Sequence, residues 1–480
     1  MVFSSLTFLI FFTIVIILMI ILKTSIVKKN LSETTIRNIK HAILLFASYI
    51  FYGWWDWRFC FLMFLMTFIA YYCSLQIIKN NKAGLYKAIG IIVPLATLGL
   101  FKYFNFFIES FCQVFNIDDF NTLNIILPVG ISFYTFQSMS YTIDVINKKI
   151  ESYNLFEVAL YISFFPQLVA GPIVKASDFM PQLKESREVN KDNFLTGIQI
   201  FVFGLFKKIV IADNLSLFVD SAFQNPGIFS SLTLVLAVIA YSIQIYFDFS
   251  GYSDMAVGAA KCLGYDFNKN FNIPYISKNV SEFWKRWHIS LSTWLQEYLY
   301  IPLGGNRKGI ARTYINLLLT MILGGLWHGA NVTFIVWGIL HGAALCIHKL
   351  YKNYVSGKRK PTFIGNVISV IITYVFVCIC WIFFRAQNIS DALFIIERIV
   401  TCSDGVVQIY SWAVVAIILV AVGEFAAYKR SKKENSKIVN GYYPLMDLSK
   451  FWSLVVFFVV IGLILGLAFT NSNPFIYFQF

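Results

Sequence analysis

The stretch V-F-S-S-L-T-F-L-I-F-F-T-I-V-I-I-L-M-I-I-L occupies residues 2–22 and contains no charged side chain. An α-helix of about 20 apolar residues is long enough to cross the hydrocarbon core of a bilayer. No basic residue precedes the run, and it lacks a small-residue cleavage site. It therefore predicts a first membrane span rather than a cleaved signal.

Apolar runs of similar length recur along the chain. Of its 480 residues, 58% are hydrophobic and 13% are charged, whereas a soluble domain carries roughly 25% charged residues. A water-soluble core cannot hide so many apolar side chains, so lipid must solvate them. We expect an all-α fold, a polytopic transmembrane helical bundle of about 12 spans. The predicted spans are roughly 3–22, 41–57, 59–78, 88–107, 124–145, 194–213, 230–250, 313–328, 331–348, 363–384, 410–428 and 451–470.

Two further apolar stretches, at roughly 156–173 and 287–303, are short or interrupted. We predict re-entrant or interfacial helices there, because such backbone survives at membrane depth only where protein or a water-filled cavity covers it. The loops are short, and no inserted soluble domain or clear repeat is visible. The sequence therefore predicts a single membrane domain over residues 1–480.

The formal net charge is +14, from 39 Lys and Arg against 25 Asp and Glu. Cations collect in the cytoplasmic loops of multispan proteins, so we predict no nucleic-acid partner. A basic inner face can also attract an anionic donor or carrier. Alternate predicted loops are basic, at Lys28, Lys79, Lys148, Lys285 and Lys358 to Lys360, whereas the loop with Asp118 and Asp119 has few cations. This pattern predicts that both termini lie outside.

Several common chemistries lack their motifs. The eight cysteines lie almost entirely in apolar segments without paired CxxC spacing, so small buried hydrophobic residues are expected rather than a metal site. A G-x-S-x-G nucleophile elbow, a P-loop and a dinucleotide fingerprint are absent from the sequence. Any chemistry is therefore expected to centre on histidine.

A first polar cluster, Q-I-Y-F-D-F-S-G-Y-S-D-M-A, spans residues 244–256. It places Asp248, Tyr252 and Asp254 in an otherwise apolar stretch, where ionisable groups are costly and usually functional. One interpretation is a polar wall, or a carboxylate that orients a histidine. The other is a loop cap whose hydrogen bonds are satisfied locally.

A second cluster, S-E-F-W-K-R-W-H-I-S-L-S-T-W-L, spans residues 281–295. Tryptophans beside cations are typical of an amphipathic helix at a membrane interface, and that interpretation accounts well for Trp287. It accounts less well for His288. A functional histidine is the alternative.

A third cluster, G-G-L-W-H-G-A-N, spans residues 324–331 and places His328 between glycines. Histidine is the side chain whose ordinary pKa suits proton transfer near neutral pH. The glycines indicate either close helix packing or space for a substrate beside the imidazole. His341 lies within a predicted span and is expected to line the same cavity, whereas His41 and His348 lie beside loop cations and are expected at the interface.

Five further motifs accompany these three clusters along the chain. They are L-P-V-G-I-S-F-Y-T-F-Q at 127–137, F-F-P-Q-L-V-A-G-P-I at 164–173, Y-I-P-L-G-G-N-R-K-G at 300–309, W-I-F-F-R-A at 381–386 and P-F-I-Y-F-Q-F at 474–480. From about Phe51 to Phe480 the chain resembles the membrane-bound O-acyltransferase family. Within that family it is similar to the alginate O-acetyltransferase branch.

The resemblance implies a funnel or tunnel through the helical bundle, with His328 and His288 as catalytic residues. The predicted substrate-binding residues are Asp248, Tyr252, Asp254, Trp287, Asn331 and His341. No bound cofactor or metal is implied. The expected donor is acetyl-CoA or another acyl thioester, and the expected acceptor is a polysaccharide outside a bacterial cytoplasmic membrane. An extracytoplasmic acetylesterase-like protein is the expected partner.

Two alternatives stay open. One keeps the fold but transfers D-alanine from a carrier protein to teichoic acid. The other is a non-enzymatic channel or scaffold for polymer export. A channel should present a wide polar lining, and no line of charged residues repeats along several predicted spans.

Overall fold

The computed structural model describes residues 1–24, 29–80, 82–117, 122–169, 171–185, 187–354, 362–433 and 446–468, and for 424–433 the backbone alone. Several predicted features lie outside these ranges. They are Lys28, Asp118, Asp119, Lys358 to Lys360 and the motif at 474–480.

The regular secondary structure of the described residues is helical apart from an isolated bridge between Phe229 and Val406, which confirms the predicted all-α fold. Seven helices within it are long and apolar enough to cross a membrane. They are Arg58–Ile78, Ala83–Phe115, Lys191–Gln224, Ser231–Cys262, Ile310–His328, Val332–Tyr354 and Phe363–Arg385. Three shorter apolar helices are Leu6–Leu22, Ser411–Gly423 and Phe451–Leu467. The protein is therefore a multi-pass membrane protein.

The two remaining predicted spans, 41–57 and 124–145, correspond to helices that are either charged at one end or short. The helix Glu33–Gly53 covers the predicted span 41–57 but carries Glu33, Arg37 and Lys40 in its first turns. The predicted span 124–145 is shortened to the 16-residue helix Ile131–Ile146. Charge in the one case and length in the other separate them from the seven long apolar helices.

The chain forms two compact units. Met1–Phe203 and Tyr252–Asn268 make up most of the first unit, and Gly204–Gly251 and Lys269–Tyr443 make up most of the second. The predicted single domain stays a prediction.

The first unit is built from helices of different lengths. Its helices are Leu6–Leu22, Glu33–Gly53, Arg58–Ile78, Ala83–Leu98, Phe104–Phe115, Ile131–Ile146, Leu155–Ser163, Phe165–Leu168 and Ala176–Lys184, with a π-helix at Gly99–Tyr103. The helices Lys191–Phe206 and Ser231–Cys262 each contribute residues to both units.

An aromatic cluster forms the core of the first unit. The rings of Phe8, Phe51 and Phe165 are fully buried, and their centroids lie 5.7–6.4 Å apart. The backbone N–H of Phe165 donates to Ser48 Oγ at 3.1 Å, which satisfies a donor at the start of the helix Phe165–Leu168. The stretch predicted to be interrupted is therefore two short helices, broken at Phe164.

The start of the helix Ile131–Ile146 depends on Gly130. This residue has φ 76°, and a Cβ there would lie 2.7 Å from the carbonyl oxygen of Leu168. Only glycine combines this left-handed conformation with so close an approach. The nine residues 122–130, which include Pro128, contain no helix, so the helix begins later than hydropathy predicted.

The second unit contains the other long helices. Its helices are Asp213–Gln224, Val280–Trp284, Ile289–Leu295, Ile310–His328, Val332–Tyr354, Phe363–Arg385, Ile389–Val400, Ser411–Lys433 and Phe451–Leu467. Its π-helices are Lys207–Ala212 and Gln296–Tyr300, and a 3₁₀ turn lies at Pro274–Ile276. The predicted interrupted stretch at 287–303 is thus one short helix followed by a π-helix.

Asp266 lies at the centre of a network of ion pairs and hydrogen bonds in the first unit. Its carboxylate accepts from Lys261 Nζ at 2.6 Å and from Arg187 at 2.7 Å, and its backbone N–H donates to Gln182. Partial burial alone would raise the pKa of this carboxyl, but the Lys261 and Arg187 bonds outweigh burial and lower its pKa below 3.8. A lowered folded-state pKa stabilises the fold above the unfolded pKa and loses that effect as the pH falls through the folded pKa.

We expect Asp266→Asn to lower the thermal unfolding temperature at pH 7. The unfolding temperature of the variant should also depend less on pH than that of the wild type. The difference between the two proteins should shrink as the pH falls below about 3.8, because the Asp266 carboxylate of the unfolded wild type is then protonated, and it should be lost as the pH falls through the lower pKa of the folded state. Unfolding of the detergent-purified proteins from pH 7 to pH 3 measures this. Glu151→Gln is the control, because the Lys184–Glu151 pair is exposed and should contribute little. A pH-independent difference for Asp266→Asn contradicts the assignment.

Candidate active site

His328 is the last residue of the helix Ile310–His328 and is 3% exposed. Aromatic rings surround its imidazole edge-on. The ring centroids of Trp337 and Phe384 lie 5.1 and 5.2 Å away. His328 therefore lies at a helix end in a largely apolar, aromatic environment.

The glycines beside His328 are explained by packing. A Cβ on Gly325 would collide with the carbonyl oxygen of Phe334, and one on Gly329 would collide with the Phe334 ring. Gly338 makes the matching approach to the carbonyl of Met321. Of the two interpretations left open by the sequence, close packing of Ile310–His328 against Val332–Tyr354 holds at these positions.

His288 is fully buried and has the left-handed backbone conformation φ 42°, ψ 56°. Such a conformation costs a non-glycine residue of order 1–3 kcal/mol and is found where the surroundings enforce it. Here two backbone bonds do so. Asn272 N–H donates to Arg286 O, and Ile289 N–H donates to Asn270 O, each at 2.8 Å.

The same segment supplies the partner of the His288 ring. Asn270 Oδ1 lies 3.2 Å from His288 Nδ1 and accepts from the backbone N–H and hydroxyl of Ser290 at 3.1 and 2.9 Å. Phe249 packs edge-on against the ring at 4.6 Å. Because His288 and Trp287 are buried among protein groups, the interfacial-helix interpretation does not fit them.

His341 is also fully buried, in the helix Val332–Tyr354. Trp284 Nε1–H donates to its Nδ1 at 3.3 Å, and Phe283 stacks on the ring at 6.0 Å. The Trp337 ring lies 4.8 Å from His341 and 5.1 Å from His328.

Tryptophans connect the three histidines. Trp327 lies 6.0 Å from His288, and Trp381 lies 4.9 Å from Trp287 and 6.1 Å from Trp337. The structure thus brings four predicted site residues into one aromatic cluster. They are Trp287, His288, His328 and His341.

Asp248 has an ionic partner that the sequence analysis missed. Lys208 Nζ lies 2.6 Å from Asp248 Oδ1 and 2.7 Å from Asp213 Oδ1, with all three side chains at most 6% exposed. Lys208 lies in the π-helix Lys207–Ala212, and π-helical turns are frequent at functional sites. Two adjacent lysines within an otherwise apolar run were the available signal.

The other predicted residues lie elsewhere or have structural partners. Tyr252 and Asp254 belong to the first unit, where the Tyr252 ring packs at 4.8 Å from Phe3. Asn331 Oδ1 accepts from Thr333 N–H, and its Nδ2 donates to Gln387 O, so it caps the helix Val332–Tyr354. Their substrate-binding roles stay predictions, as do the catalytic roles of His288 and His328. Among the described residues, no group of three His, Cys, Asp or Glu could hold a metal ion.

The model of the membrane-bound O-acyltransferase family matches residues 42–386. The chain belongs to this family. It is similar to the probable alginate O-acetylase AlgI of Pseudomonas aeruginosa, with 43% identity over 363 residues, 74% of this chain and 68% of that protein. For the probable alginate O-acetylase AlgI of Pseudomonas putida the identity is 37% over 467 residues, 92% of this chain and 94% of the relative. For the peptidoglycan O-acetyltransferase of Helicobacter pylori it is 39% over 388 residues, 74% of this chain and 73% of the relative.

Membership confirms the resemblance that the motifs indicated and makes the protein a membrane-embedded O-acyltransferase. An enzyme of this class must bring a hydroxyl, an acyl donor and a proton acceptor together. The aromatic cluster holds three imidazoles, which are the proton-transfer groups most suited to neutral pH.

Lys208→Met tests whether Asp248 is held by its ion pairs or serves a substrate. Removing Lys208 leaves Asp213 and Asp248 buried without its ammonium, so we expect a loss of stability of about 3–5 kcal/mol. The triple variant with Asp213→Asn and Asp248→Asn should recover most of that loss. Thermal unfolding in detergent measures both variants. A stable Lys208→Met protein contradicts the structural role. A stable triple variant without acyl transfer means that the three charged groups, taken together, serve the reaction as well as the fold.

Proposed function

We propose that the protein moves an acetyl group from a cytoplasmic acyl thioester, such as acetyl-CoA, across a bacterial cytoplasmic membrane for O-acetylation of an extracellular or cell-wall polysaccharide. The observation that carries the proposal is the cluster of buried histidines in a membrane O-acyltransferase. The O-acetylase and O-acetyltransferase names of its relatives favour acetyl as the group transferred.

The proposed reaction uses His328 as general base. The imidazole takes the proton of the acceptor hydroxyl while that oxygen attacks the thioester carbonyl, so a C–O bond forms and the C–S bond breaks. The thiolate leaves and takes the proton back from His328, which ends the cycle neutral. One hydroxyl and one thioester give one ester and one thiol.

His328 suits this role because of its position. It lies at a helix end between tightly packed helices, so its imidazole has little freedom to move. The aromatic rings of Trp337 and Phe384 restrict water around it. Exclusion of water favours transfer to a hydroxyl over hydrolysis of the thioester.

The proposed orientation follows from charge. Basic predicted loops favour a cytoplasmic face that attracts an anionic donor, with both termini outside. The acceptor is then a polysaccharide hydroxyl, or a serine on an extracytoplasmic acetylesterase-like partner that passes the acetyl group on.

We expect His328→Ala to abolish acetyl transfer, because loss of a general base costs about 10²–10⁴-fold in rate. The assay is the acetyl ester content of the surface polysaccharide in a deletion strain complemented with wild type, His328→Ala or His348→Ala. His348 is the matched control, because it lies on the same helix as His341 but is only half-buried.

Equal membrane abundance and an unchanged size-exclusion profile must accompany the loss. Full acetyl ester content with His328→Ala would sink the role of His328. If the deletion lowers D-alanyl esters instead of acetyl esters, the protein transfers D-alanine to teichoic acid.

A further inference from the structure

The hydrogen-bond partners of His288 and His341 determine where each neutral ring carries its proton. One side-chain amide atom of Asn270 lies 3.2 Å from His288 Nδ1. The same atom accepts a hydrogen bond from the backbone N–H of Ser290 at 3.1 Å. A backbone N–H only donates, so that atom is the amide oxygen and not the amide nitrogen. An oxygen can only accept, so His288 Nδ1 must carry the proton.

Ser290 supports the same assignment. Its hydroxyl donates its proton to Asn270 Oδ1 at 2.9 Å and lies 3.4 Å from His288 Nδ1. Towards the ring it therefore offers a lone pair and not a proton. The neutral His288 ring is left with a bare lone pair on Nε2, which is buried and has no hydrogen-bond partner within the described residues.

His341 has the opposite arrangement. The indole N–H of Trp284 is a donor only, and it points at His341 Nδ1 at 3.3 Å. Nδ1 must then be unprotonated, which excludes the imidazolium and places the proton on Nε2. That N–H is fully buried and, in the part of the chain that the structure describes, has no acceptor.

We infer that Asn270 and Trp284 are positioning residues that lock His288 and His341 in opposite tautomers, so that His288 accepts a hydrogen bond from a substrate O–H or N–H and His341 donates one to the acyl carbonyl oxygen. A buried polar group without a hydrogen-bond partner destabilises the fold, so each of these two nitrogens favours a ligand group of one polarity: a donor at His288 Nε2 and an acceptor at His341 Nε2. A donor N–H aimed at a carbonyl oxygen stabilises the negative charge that develops there.

The identity of the ligand groups rests on the proposed acyl transfer, whereas the tautomers do not. They can therefore be tested without activity, by ¹⁵N solid-state NMR of histidine-labelled protein in bilayers. Spectra of His288→Gln and His341→Gln assign the two signals by difference. The expected result is a proton on Nδ1 of His288 and on Nε2 of His341. Either residue in the other tautomer, or as imidazolium, overturns the inference.

Variants of the positioning residues test the consequence for the reaction. Asn270→Leu and Trp284→Phe should each mix the tautomers of their histidine in the NMR spectrum. Each should also lower acetyl ester formation by about 10–100-fold, as loss of an orienting partner does at other sites. Asn270→Asp keeps an oxygen acceptor for Nδ1–H and for Ser290, so it should retain both the tautomer and most of the transfer.

The outcomes separate the two proposals. Locked tautomers in a protein whose deletion changes no acyl ester would sink the proposed function and leave the tautomer assignment intact. Mixed tautomers with undiminished transfer in Asn270→Leu or Trp284→Phe would overturn the positioning roles and leave the function intact. A merely structural role for Asn270 predicts loss of folded protein in Asn270→Leu, which size-exclusion chromatography detects, without a change of tautomer in the folded fraction.

Discussion

A membrane interior tolerates an ionisable or strongly polar side chain only if protein groups satisfy it, and this constraint organises the second unit. Lys208 lies between two carboxylates. His288 bonds to Asn270, and His341 bonds to Trp284. Each polar group is thereby tied to a defined neighbour. His288 Nε2 and His341 Nε2 have no hydrogen-bond partner within the described residues, so folding alone does not account for these two ring nitrogens.

Much of the fold could be predicted from hydropathy, because lipid selects long apolar runs. The limits of that reasoning are local. The helix Ile131–Ile146 begins several residues later than predicted because Gly130 turns the chain in a conformation that hydropathy does not encode. The helices at 83–115 and 191–224 extend past their predicted ends, and each contains a π-turn through which the helix continues without a break. Apolar length predicts that a helix exists, and backbone detail decides where it stops.

The site was predictable only in part, for a related reason. His288 and His328 were singled out because each lies in a polar cluster of the sequence, and the family resemblance implied their catalytic roles. Lys208 and Asn270 were missed because their importance lies in a contact with a residue far along the chain or across a turn. Asn270 lies between the predicted spans, where asparagine is ordinary. Only the fold shows that its oxygen faces an imidazole.

The backbone conformation of His288 and the orientation of its imidazole ring depend on the same hydrogen bonds. Its left-handed backbone is unfavourable for a residue with a side chain, and two backbone bonds between 270–272 and 286–289 hold it there. Those same bonds set Asn270 beside the ring, so the cost of the conformation and the orientation of the imidazole have one origin. The strained turn is therefore what converts an ordinary buried histidine into one whose free nitrogen has a fixed direction and a fixed hydrogen-bonding sense.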